Sequence, residues 1–194
     1  MTGEGVAVEL SIRAMTLEDR RRFEDHLVRV RAESGRGGDA PFTPVTPADR
    51  RDPKIDLDAY ARPLTEPKWR RAFVVVTEDG WIVGAAELKG DELCAGLHRC
   101  ELGLAIERPY RRLGLGRQLM ENAIQFARAS NSIEWIDLYV FAHNVAARAL
   151  YKNLGFKEAG TVADRFRIDG RSVDDVIMSL GIESAGVSSQ AKSS

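Results

Sequence analysis

Cysteine is scarce in this sequence: Cys94 and Cys100 are the only two among 194 residues. Their spacing matches no zinc-ligand pattern and is too sparse for a disulfide scaffold. Two free thiols in a reducing compartment are the plain reading, with a bond across a turn as the alternative. An excess of charge of one sign is also missing. The 28 basic and 29 acidic residues leave a formal net charge of −1, so no basic field favours nucleic acid. No apolar run approaches the roughly 18 residues that a membrane span needs. The N-terminus is polar and lacks the basic and then apolar segments of a secretory leader. These absences lead to the expectation of a soluble, cytoplasmic protein without nucleic-acid, membrane or metal partners.

What is present is 44% hydrophobic residues, enough for one well-buried core in a chain too short for two. A single domain is expected over residues 1–182. The Ser-, Gly- and Ala-rich tail, 183–194, has nothing to bury and is expected to be disordered.

Val6 to Met15 alternates as a first strand, with Val6, Val8, Leu10 and Ile12 on one face. Thr16 reads as an N-cap, with Glu18 and Asp19 in the turn that follows. The helix then runs to about Glu33. Residues 35–67 hold six of the seven prolines and little periodicity beyond a short helix around Leu57 to Ala61. So long an insert in a compact domain is usually functional or mobile. Two β-rich runs, Trp69 to Thr77 and Trp81 to Lys89, flank the turn Glu78-Asp79-Gly80. His98 to Glu107 reads as a further strand. A helix carrying Leu119, Met120, Ala123, Ile124 and Ala127 follows, and then a strand from Ile133 to Phe141. Asn144 to Leu154 reads as a short helix with Ala146, Ala149, Leu150 and Leu154 inward, ended by Gly155. A hairpin around Asp169-Gly170 closes the chain. This order predicts an α+β fold: a mixed, mostly antiparallel sheet with helices on both faces.

The most informative stretch is Arg111-Arg112-Leu113-Gly114-Leu115-Gly116. It lies where the apolar run Leu102 to Ile106 gives way to a helix. Two glycines let the chain turn tightly and leave its N–H groups uncovered. The helix start points unpaired donors and a positive dipole end at the same place. That combination suits a pyrophosphate, and Arg111 and Arg112 add charge. The loop lacks the Lys-Ser/Thr ending of a P-loop and the third glycine of a dinucleotide fingerprint.

With a second stretch downstream, the chain resembles the GCN5-related N-acetyltransferase (GNAT) family over roughly residues 6–181. The glycine loop is similar to the family's Gln/Arg-x-x-Gly-x-Gly/Ala segment, which cradles an acyl-CoA pyrophosphate. Asn144 to Phe156 is similar to its second signature, Asn-x-x-Ala-x-x-Leu-Tyr-x-x-x-Gly-Phe. The resemblance implies a splayed central sheet of about seven strands, acetyl-CoA or a related acyl-CoA as donor, and a primary amine as acceptor. It places the pantetheine arm against Leu104, Ala105 and Ile106, and the pyrophosphate against residues 111–117, from Arg111 through Gly114 and Gly116 to Arg117. A homodimer is an open option, and no interface is legible.

Chemistry sorts the remaining candidates. The acceptor ammonium must lose a proton and the leaving thiolate must gain one. Tyr151, in the second signature, is the candidate general acid, against the plain reading of a core tyrosine. Glu101 is the candidate base, directly or through water, against an exposed strand-end acid paired with Arg99. Asn144 either caps its helix or, as the resemblance implies, bonds the CoA arm. Glu107 is expected to support the loop, and His98 and His143 to be ordinary loop or strand-end histidines. Asp137 and Asp164 either face an acceptor groove or lie on the solvated surface. Tyr139 stands where some protein N-terminal acetyltransferases of the family carry a glutamate. A small-molecule amine is the expected acceptor. The alternatives are a protein N-terminus or lysine, and a non-catalytic acyl-CoA sensor.

Overall fold

The computed structural model describes residues 9–37, 40–44 and 55–183. Val6 and Val8 of the expected first strand, residues 50–54 of the insert and the tail from 184 lie outside the described residues. Among the described residues seven strands and four α-helices follow in the order β1 (Leu10–Ala14), α1 (Arg20–Glu33), α2 (Leu57–Ala61), β2 (Arg70–Thr77), β3 (Ile82–Gly90), β4 (Arg99–Ile106), α3 (Leu115–Ser130), β5 (Trp135–Phe141), α4 (Val145–Asn153), β6 (Lys157–Ile168) and β7 (Arg171–Gly181). A 3₁₀ turn, Leu17–Asp19, precedes α1. The Asp19 carboxylate accepts from Thr16 N at 2.8 Å and is gripped by Arg13 at 2.6 and 2.8 Å.

The strands form one sheet in the order β1-β2-β3-β4-β5-β7-β6. Every neighbouring pair is antiparallel except β4 and β5, which the α3 crossover makes parallel. That parallel pairing covers only Arg99–Glu101 against Trp135–Asp137. From Leu102 onward β4 stays bonded to β3, and β5 stays bonded to β7 through Phe141. The sheet therefore splits between its fourth and fifth strands.

Strand alternation assigns each face its core. Val75, Val83, Leu88, Leu102, Ile136, Leu138, Val176 and Met178 face α3 and α4. Leu115, Leu119, Met120, Ala123, Ile124 and Ala127 are the buried stripe of α3, as its periodicity predicts. On the other face Phe23 of α1 packs with Ala72, Val74, Val76, Ile82 and Ala85. The register shift at Val75/Val76 moves the β3 pattern by one residue, so Ile82 and Ala85 share a face.

The hairpins follow their turn residues. Gly80 has φ 85°, while Asp169 and Gly170 have φ 50° and 75°, the two positive values of a tight β-hairpin turn. One expectation is corrected. The inward stripe of α4 is Ala147, Leu150, Tyr151 and Leu154, whereas Ala146 and Ala149 are exposed. Positions i, i+3, i+4 and i+7 share a helix face, and Ala146 and Ala149 fall outside that set. Both cysteines are free, Cys94 exposed and Cys100 buried.

Candidate active site

The glycine loop adopts the backbone its sequence demands. Gly114 takes φ 78° as it opens α3, and Arg112 also lies in the left-handed region at φ 67°. The N–H groups of Arg112, Leu113, Gly114, Leu115 and Gly116 find no acceptor among the described residues. Five consecutive donors at a helix start form an anion cradle. Gly116 allows this turn to sit low. A Cβ there would come within 3.4 Å of both Ile106 and Leu150, which joins the loop to β4 and to α4.

The strand entering this loop has one free edge. Glu107 N donates to Val83 O on β3, and strand alternation then turns the N–H and C=O of Leu102, Leu104 and Ile106 toward the split. His98 O, in the same phase, accepts from Glu134 N at 2.8 Å. Ile106 O is taken by Arg111 Nε at 2.9 Å. Leu102 and Leu104 remain open for an extended amide ligand. Ala105, expected in the same role, directs its backbone groups to β3, where it pairs with Ala85. These donors and acceptors match the chemistry of a pyrophosphate joined to a pantetheine arm.

Arg111 is engaged within the protein. Besides Ile106 O, its guanidinium meets Glu33 at 2.6 Å and lies 4.9 Å from the centre of the Phe42 ring. It fastens α1 and the 40–44 segment to the loop. Glu107 serves the same junction, accepting from Arg29 Nε at 3.0 Å and meeting buried His26 Nδ1 at 2.8 Å. Arg112 is exposed, and Arg117 pairs with Glu121 at 3.4 Å.

Tyr151 packs in the core on the α3–α4 face of the sheet. Its ring is buried and packs 6.1 Å from that of Phe156. Its hydroxyl has no hydrogen-bond partner among the described residues, and the fully enclosed partnerless side-chain atoms are His26 Nε2 and Trp69 Nε1. The Tyr151 hydroxyl therefore keeps some accessible surface. Burial pushes its pKa up to about 12, so the phenol is a proton donor at neutral pH. Asn144 caps α4, its Oδ1 accepting from Ala147 N at 3.2 Å.

The opposite face, beneath α1 and α2, carries charged side chains in register. Glu87, Gly103 and Ala72 lie side by side across β3, β4 and β2. Glu101 stands opposite Asp137 on β5, and Asp137 opposite Ser179 on β7. Glu101 pairs with Lys89 at 2.9 Å; the expected alternative, a pair with Arg99, is not formed. Arg99 instead grips Asp137 at 2.7 and 2.8 Å, and Ser179 donates to the same carboxylate at 2.5 Å. Burial pushes the Asp137 pKa up, yet the Arg99 and Ser179 hydrogen bonds outweigh it and leave it below the ordinary value. Arg70 holds Glu87 through both carboxylate oxygens, and Tyr60 donates its hydroxyl to Glu87. A Cβ on Gly103 would meet nothing within 4 Å, so open space adjoins the split at that point.

The other candidates lie apart. His98 is exposed at the start of β4, and His143 Nε2 meets Pro41 O at 2.6 Å. Asp164 is bound by Arg167 and Ser172 within the β6–β7 irregularity. Sequence reasoning missed Glu87 and Arg70, which only strand register brings together on one face. Alternation within β3 was the available signal.

Known proteins can now be set beside this geometry. A sequence model described as the acetyltransferase (GNAT) family matches residues 42–156. The ribosomal protein bS18-alanine N-acetyltransferase of Escherichia coli is 40% identical over 81 residues, which is 41% of this chain and 53% of that protein. The chain thus spans about half the length of the curated relatives it matches. A GNAT-family acetyltransferase from Streptococcus pneumoniae superposes with a TM-score of 0.76 at 26% identity, covering 90% of this chain and 100% of that one. A putative acetyltransferase from Salmonella typhimurium, solved with its cofactor acetyl-CoA, shares the fold at a TM-score of 0.70 and 18% identity over 94% and 99% of the two chains. With more than half its length matched by the family model, this chain belongs to the acetyltransferase (GNAT) family.

Proposed function

We propose that the chain is one acetyltransferase domain, over residues 1–182, that moves an acetyl group from acetyl-CoA to a primary amine by direct attack. One observation carries this reading. The open edge of β4 runs from a loop with five free N–H groups to Glu101, where the sheet opens onto the opposite face. Acetyl-CoA supplies the activated thioester. Loop residues 112–116 hold its pyrophosphate, and Leu104 its pantetheine amides. The N–H of Leu102 or Leu104 polarises the acyl carbonyl from the strand edge.

Glu101 takes the ammonium proton directly or through a water, its carboxylate held by Lys89 at 2.9 Å. Tyr151 protonates the departing sulfur, the task for which a high-pKa phenol is suited. Holding the two reactants against one split replaces a covalent enzyme intermediate.

The acceptor is a small-molecule amine in this reading. A protein N-terminal amine is the second reading, supported by the name of the bS18-alanine N-acetyltransferase relative. Against it, Tyr139 occupies the position on the strand before Asn144 where some N-terminal acetyltransferases of the family that the chain resembles carry a glutamate. Thiol release from acetyl-CoA decides the matter across amino acids, aliphatic and aromatic amines, aminoglycosides and alanine-terminated peptides. Release with small amines supports the first reading, and release with peptides alone supports the second. Tight acetyl-CoA binding without release on any acceptor would leave a non-catalytic sensor.

A further inference from the structure

Four carboxylates occupy the α1–α2 face around the split: Glu87, Glu101, Asp137 and Asp175. Three of them have basic partners, Arg70, Lys89 and Arg99. Asp175 differs. It is 4% exposed, yet no hydrogen bond or ion pair reaches its carboxylate among the described residues. It is not sealed either. Its oxygens are absent from the enclosed partnerless atoms, His26 Nε2 and Trp69 Nε1, so they keep some accessible surface.

The neighbours of Asp175 give it little in return for lost hydration. Phe141 lies directly opposite on β5, and Val173 precedes it on the same face. Phe166 packs 5.7 Å from Phe141, and the Arg165 guanidinium lies over Phe166 and outside ion-pair reach of the carboxylate. Burial raises the Asp175 pKa above the usual carboxylate value, with Arg165 drawing it down and Glu101 pushing it up. A buried carboxylate without donors is costly. A cation bearing N–H groups relieves that cost by charge and hydrogen bonding together.

Position adds the second argument. Parallel pairing stops at Asp137, and Phe141 stands four residues further along β5, where β4 has already parted from it. Asp175 is thus one strand away from the open side of the split. Between the two levels Tyr139 shares this face and is 50% exposed, so its ring is accessible to a ligand there.

We propose that Asp175 receives the ammonium of the acceptor amine, and that this amine carries an apolar or aromatic body packed against Tyr139 and Phe166. The proposal rests on the acetyltransferase reading and deepens it by naming the acceptor class. Asp175 binds the cation, and Glu101 remains the group that takes the proton.

The probe is 2-phenylethylamine, titrated with its neutral analogue 2-phenylethanol into the CoA-bound protein. The wild type is expected to prefer the ammonium by about tenfold or more. Asp175→Asn removes that preference, Asp175→Glu keeps most of it, and acetyl-CoA affinity stays within about twofold in both. In the wild type itself, the carboxyl carbon resonance of Asp175 moves with the amine and not with the alcohol. Absence of the preference in the wild type, its survival in Asp175→Asn, or an unmoved resonance overturns the proposal. Thiol release by the wild type tests the parent reading separately. Release alongside a failed binding test sinks only the role of Asp175, and binding without release on any amine sinks only the acetyltransferase reading.

Discussion

The two sides of the split are built from different materials. On the proposed reading the donor side is main chain: N–H groups of residues 112–116 without an acceptor among the described residues, and the open edge of β4. The proposed acceptor side is side chain: paired Glu87, Glu101 and Asp137, and Asp175, which has no partner among the described residues. A backbone site depends on conformation, so it tolerates most side chains and punishes loss of glycine. A side-chain site depends on charge balance, so it is sensitive to single carboxylates and to pH. One protein can therefore keep its donor while its acceptor changes.

Substitutions test that contrast, beginning with the largest effect. Tyr151→Phe is expected to lower kcat about 100-fold or more while leaving acetyl-CoA affinity within about twofold. Steady-state kinetics and a calorimetric titration measure the two quantities, and near-normal turnover would remove Tyr151 from the mechanism. Gly114→Val should weaken acetyl-CoA about tenfold, because a β-branched residue at φ 78° costs about 1–2 kcal/mol. Unchanged affinity would contradict a backbone-built donor site.

Arg111 and Arg112 separate the two materials within one loop. Arg111→Ala loses contacts to Glu33, Ile106 O and Phe42, and should cost about 1–2 kcal/mol in urea unfolding. Arg112→Ala should leave unfolding unchanged and weaken acetyl-CoA a few-fold, more at low salt than at high. Reversal of these two results would return Arg111 to the phosphate.

Asp137 gives the smallest effect. Its folded pKa lies below the ordinary value, so the folded state binds fewer protons than the unfolded one as pH falls. Its contribution is full above about pH 4, the unfolded carboxyl value, and fades as pH drops through the folded value. Asp137→Asn should therefore lose about 0.5–1 kcal/mol at pH 7 and show a flatter acid limb. Parallel wild-type and variant curves would show that Arg99 and Ser179 contribute no such linkage.

The sequence was most legible where local rules dominate. The α3 stripe, the Gly80 and Asp169-Gly170 turns, the glycine loop and the Asn144 cap each depend on a few consecutive residues. Ala146 and Ala149 were misplaced because four small apolar residues in α4 leave its phase ambiguous until Tyr151 is known to be buried. The contacts that Arg111 makes within the protein were not legible because its partners, Glu33 and Phe42, are distant in sequence. The partner of Glu101 was misjudged because Lys89 is chosen by register across a strand pair.

The sequence by itself determined the family, the elements and the glycine loop, because spacing and glycine placement set local backbone geometry. Only the tertiary structure decided which carboxylates share the α1–α2 face and which one lacks a partner among the described residues. That choice follows from strand order and register in the split sheet, where residues from β3, β4, β5 and β7 meet although no stretch of chain holds them together.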